Sequence, residues 1–97
     1  MKQVLVNVQW ESYLMEAPDF IIDNIEKYKK IFLKWLYDKN NNHKLWVIEN
    51  GKKLGVCYSA IDFVDYINQY IIKDNQQICS LKPFELEQKS DLKTIFF

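Results

Sequence analysis

The sequence predicts an α+β domain built as a two-layer sandwich, with two helices on one face of a sheet. Three observations carry this. The chain opens on an apolar/polar alternation. Two stretches repeat apolar residues at helical spacing, and an Asn-Gly pair between them joins two short β-rich runs.

The opening run, Lys2 to Trp10, puts Val4, Val6, Val8 and Trp10 on one side and Gln3, Leu5, Asn7 and Gln9 on the other. That is a strand with one core face and one mostly polar face. Glu11 to Ala17 is expected as a connector. Pro18 suits a first helical position, with Asp19 and Asp23 early and lysines later, as the helix dipole favours. From there to Asp38 neither Gly nor Pro intervenes, and Ile21, Ile25, Tyr28, Phe32, Trp35 and Leu36 share a face. Phe20, Ile22, Ile31 and Leu33 widen the apolar arc to roughly 220°, more than one sheet covers. Something beyond the sheet has to pack there.

After the polar loop Asn40 to His43, Lys44 to Glu49 and Lys52 to Tyr58 flank Asn50-Gly51, a pair suited to a two-residue type I′ turn. That turn sets Val47 opposite Leu54 and Leu45 opposite Val56 on a packed face. Trp46 then lies across from Gly55 and Ile48 across from Lys53, on the open side with Leu5 and Cys57. Ser59 caps a second helix, with Asp62 completing a capping box. Ala60, Phe63, Val64, Ile67, Tyr70 and Ile71 follow its 3.6-residue period until Asp74-Asn75. Gln77 to Leu81 is expected as a fourth strand, stopped by Pro83.

The predicted order is β-α-β-β-α-β, that of the ferredoxin-like split βαβ. One domain over 1–97 is expected, with a core over 2–82 and a tail over 83–97 that adds a strand in the alternative arrangement. In the split βαβ the third and fourth strands are not neighbours, so Cys57 and Cys79 should not bridge.

Composition narrows the function. The 97 residues carry 13 Lys, no Arg and 13 acids, for zero formal charge, so nucleic acid and anionic lipid have no global attraction to this chain. Apolar runs reach only four residues and the start alternates, so neither a membrane span nor a signal peptide is expected, and the cytoplasm is the default. One His and two Cys without a C-x-x-C exclude a common zinc site, and no cofactor is expected. Missing Arg removes the usual bidentate reader of phosphate. The surplus of lysine, asparagine and isoleucine also fits an AT-rich, bacterial-type coding sequence.

Catalytic patterns fail one by one. His43 sits in an asparagine loop with no carboxylate beside it, Ser59 lacks the glycines of a nucleophile elbow, and the two glycines belong to the hairpin. The chain also lacks an acylphosphatase arginine, a metal carrier's C-x-x-C, and open-face aromatics for stacking RNA bases.

What remains is recognition. Trp46 and Ile48 are expected on an otherwise polar open face, where apolar patches mark interfaces. Ile95, Phe96 and Phe97 of the tail, a second copy in a homodimer, or a foreign protein are the three covers weighed. The expected function is a non-enzymatic protein-binding module, of the kind that acts as inhibitor, antitoxin or immunity protein by covering a toxin or other enzyme. Trp46 and Ile48 are its expected anchors, then Tyr58 and Tyr66, with Asp62 and Asp65 meeting a basic target. The alternative is a dimeric ferredoxin-like domain that senses a small molecule in a pocket near Glu11 to Ala17.

Overall fold

The computed structural model describes residues 1–72, 79–83 and 92–97. Strand β1 (Lys2–Val8) turns at Gln9-Trp10 into β2 (Glu11–Ala17), an antiparallel partner with Val4 opposite Met15 and Val6 opposite Tyr13. The segment expected as a connector is therefore a strand. Two features hid it. Its turn contains no glycine, although Gln9 has φ 59°, and Leu14 and Met15 adjoin and are both buried, which breaks the alternation.

The expected first helix is two. Helix α1 (Asp19–Ile22) ends at Asn24, whose side-chain amide donates to the Phe20 carbonyl at 2.9 Å, and α2 (Ile25–Tyr37) restarts there. A local side-chain bond of this kind competes with the helical ladder. The predicted face holds, with Ile21, Ile25, Phe32 and Leu36 buried. The hairpin β3 (Trp46–Glu49) and β4 (Lys52–Val56) forms around Asn50 (φ 53°) and Gly51 (φ 77°), both positive as a type I′ turn requires.

Helix α3 (Ala60–Tyr66) begins at the predicted capping box, where the Ser59 N–H donates to an Asp62 carboxylate oxygen at 2.8 Å. It runs on into a π-helical turn, Ile67–Ile71, closed by the Ile72 N–H on the Ile67 carbonyl at 2.9 Å. Strands β5 (Ser80–Pro83) and β6 (Thr94–Phe96) complete the main sheet, in the order β5-β2-β1-β6 with β6 parallel to β1. The tail thus adds a strand, as the alternative arrangement expected. Asp74-Asn75, the first half of the expected fourth strand and residues 84–91 lie outside the described residues.

The result is a small mixed α+β domain, and its connectivity is not the split βαβ. The first two strands form a hairpin, and β3–β4 is a separate two-stranded sheet. Its residues therefore do not share the open face of the main sheet. That face carries Leu5, Asn7 and Ser12, with Asn7 donating to the Ser12 hydroxyl at 3.0 Å.

The other face is the core. Val4, Val6, Met15 and Ile95 meet Ile21, Ile25, Phe32, Phe63 and Ile67, all at most 1% exposed. Phe32 is its hub, within 5.4–6.2 Å, ring centre to ring centre, of Trp35, Tyr58, Phe63, Tyr66 and Phe97. Of the residues that widen the apolar arc, Ile22, Ile31 and Leu33 pack partly buried against this core, whereas Phe20 stays 49% exposed. Cys57 is exposed and Cys79 buried, both free, as expected.

Candidate protein-binding surface

The β3–β4 hairpin is fixed at its base and free towards its turn. Leu45 and Val56 pack against the core. The Cys57 N–H donates to the Leu45 carbonyl at 2.9 Å, extending the ladder below the strands.

Trp46 is part of this base rather than an open anchor. Its half-buried indole lies against the His43 ring, its Nε1–H donates to the Asn41 carbonyl at 2.6 Å, and the Lys53 ammonium sits 5.2 Å from its ring centre. Lys53 also donates to the Asn42 side-chain oxygen at 2.7 Å and to the Lys39 carbonyl. Trp46 is therefore covered by the 39–43 loop, whereas the tail residue Phe97 meets Phe32 and Tyr58 edge to face and Phe63 at a tilt. His43 joins the two helices' side to the hairpin. Its Nε2 contacts the Leu36 carbonyl at 2.8 Å and its Nδ1 accepts the Leu45 N–H at 3.2 Å. Only the Nε2–H tautomer satisfies both, so neither nitrogen is left for proton transfer.

Beyond this base the register differs from the expected one. Ile48 does pair with Lys53, but Val47 pairs with Gly55 and Trp46 with Val56. The shift falls between Val47 and Ile48, so Leu54 is the extra residue of a bulge, which bends the strand that carries it. Val47 and Leu54 leave the expected packed face. Val47, Ile48 and Leu54 are 47%, 60% and 61% exposed. A second exposed aromatic, Trp10, stands at the β1–β2 turn with 98% of its surface open. The alternation had placed it on the core face, and no signal in the sequence marked Gln9-Trp10 as a turn.

The remaining expected site residues lie elsewhere. Tyr58 packs against Phe32 and Phe97, and burial pushes its phenol up in pKa. Tyr66 is 8% exposed and its phenol is raised by burial first, then by Tyr70. Asp62 holds the helix cap and Asp65 is exposed. Asp62, Asp65 and Tyr66 do come together, but along a separate cleft of about 220 Å³ shared with Trp35, His43 and Tyr70.

Of the two thiols, Cys79 is buried and its pKa is pushed up to about 12, so it is held as an unreactive thiol. Among the described residues no group of three or more His, Cys, Asp or Glu side chains is placed to hold a metal ion. No helix among them is long and apolar enough to cross a membrane. No protein-family model matches this chain, and no curated protein or solved structure matches it either.

Proposed function

We propose that this protein is a non-enzymatic protein-binding module whose contact surface is the free half of the β3–β4 hairpin. The observation that carries the reading is the exposure of Val47, Ile48 and Leu54 on a two-stranded sheet separate from the main one. An isolated two-stranded hairpin is marginal in water, so apolar side chains on its free half gain most by burial against a partner. Its backbone edges offer strand pairing, and its apolar residues fill pockets, the combination used in β-augmentation. A partner that is an enzyme or toxin would be neutralised by being covered, with no catalytic residue needed. That inhibitor, antitoxin or immunity role is the form of the proposal favoured by a small recognition surface held on a compact core.

The test is affinity capture from the cell of origin, followed by reconstitution with the purified partner, for the native chain and for Ile48→Glu/Leu54→Glu. Both positions are exposed, so the variant is expected to keep its circular dichroism. Loss of at least tenfold in affinity supports the reading. An unchanged affinity in the folded variant overturns it, and a dimeric native protein made monomeric by the variant assigns the surface to a second copy instead.

A further inference from the structure

The cleft bordered by α3, its π-helical turn and the 43–45 loop carries an inference that does not depend on the hairpin. Its wall is aromatic. Trp35 lies 4.9 Å from Tyr66 and 5.8 Å from Tyr70, and Tyr66 lies 5.0 Å from Tyr70, all by ring centres. The planes are inclined by 42–49°, so the rings form a faceted wall rather than a closed stack. Tyr70 is 50% exposed and presents ring surface to an incoming group.

The rim is acidic. Asp62 and Asp65, three residues apart on α3, both border the cleft. The Ser59 N–H and hydroxyl contact one oxygen of Asp62, Oδ2. Neither acid forms a salt bridge among the described residues. Among the described residues Lys44 is the one lysine on the rim, and both ring nitrogens of His43 are engaged by the Leu36 carbonyl and the Leu45 N–H. Two carboxylates against one ammonium leave the rim net negative.

π faces and carboxylates attract the same thing, a positively charged group with apolar substituents. An anion would meet the two acids. A neutral apolar ligand would strip water from them without compensation. The volume of about 220 Å³ is below the ~300–1,000 Å³ of clefts that enclose a whole drug-sized ligand. It suits a head group.

We propose that this cleft binds an alkylammonium group, presented by a small quaternary amine or by a lysine side chain. Choline and Nα-acetyl-lysine amide are the two probes, with 3,3-dimethylbutan-1-ol as the uncharged isostere of choline, all at constant ionic strength. Binding is read from the indole and tyrosine resonances of Trp35 and Tyr70.

A saturable shift is expected with at least one amine, about tenfold weaker for the isostere. Asp65→Asn weakens it severalfold, and Lys44→Gln, which removes the competing cation, tightens it. All these changes are at exposed positions, and circular dichroism checks the fold. Stronger binding of the lysine amide assigns the site to a peptide, stronger binding of choline to a free amine. Equal binding of the isostere, indifference to Asp65→Asn, or no saturable shift with either amine overturns the proposal. Ile48 and Leu54 do not border this cleft, so failure here and failure of the hairpin reading are seen separately.

Discussion

The indole of Trp46 and the imidazole of His43 lie nearly parallel, 6° apart with ring centres at 5.1 Å. Trp35 lies on His43 as well, at 4.6 Å. The histidine thus couples helix α2 to the hairpin by two ring contacts and two hydrogen bonds. His43→Ala removes all four. With roughly 0.5–1.5 kcal/mol per ring pair and about 1 kcal/mol per hydrogen bond, the loss is expected near 3–5 kcal/mol. Urea denaturation measures it, and faster amide exchange at Leu45 and Cys57 is expected beside it.

Phe32 is fully buried and touches five other aromatic rings. Phe32→Ala leaves a cavity that those large rings cannot all collapse into, and about 3–5 kcal/mol of stability is expected to go. Phe32→Leu keeps much of the volume and should lose clearly less. Equal losses in chemical denaturation would mean that the ring geometry, rather than the filled volume, stabilises the hub.

Gly51 has φ +77°, and a Cβ there would meet nothing within 4 Å. Gly51→Ala is therefore a conformational change alone, expected to cost on the order of 1–2 kcal/mol. Gln9 is the converse case, a non-glycine residue at φ 59°. Gln9→Gly relieves its left-handed strain but gives back backbone entropy, for a net gain of about 0.5 kcal/mol. Opposite shifts in Tm for the two variants are expected.

The two cysteines should separate cleanly. Cys57 is exposed and Cys79 buried, so a thiol reagent at neutral pH is expected to modify one thiol per native chain and two after denaturation. Burial holds the Cys79 thiol neutral up to about pH 12, whereas the unfolded thiol ionises near 8.5. Below that value both states keep the proton and this group leaves stability unchanged with pH. Above it the unfolded chain loses its proton first, so stability falls as pH rises towards 12. The raised phenols of Tyr58 and Tyr66 act in the same direction at higher pH. Urea midpoints at pH 8 and pH 10.5 should differ less for Cys79→Ala than for the native chain.

Much of the local structure follows from the sequence by itself, because short-range chemistry decides it. Asn50-Gly51 is a type I′ turn since both residues tolerate positive φ. Ser59 and Asp62 start α3 since one carboxylate satisfies a helix-start N–H group. The buried stripes of α2 and α3 follow their 3.6-residue spacing through Ile25, Phe32 and Leu36, and through Ala60, Phe63 and Ile67. Both cysteines are free as expected, although the split-βαβ order from which that is argued does not form.

Only the tertiary structure decided where these pieces go. Gln9-Trp10 turns without glycine, so the residue pattern by itself gives a connector for β2 and a core position for Trp10, which is almost wholly exposed. Pairing β1 with β2 and β6 fills the sheet around the first strand and leaves the β3–β4 hairpin outside it. That choice reversed the surface. Val47 and Leu54, expected in the core, became exposed, while Trp46, expected to face a partner, was covered by His43 and Lys53. Alternation along a strand says which residues share a face. Which face meets the core depends on non-local strand pairing, and no residue within the strand specifies its partner.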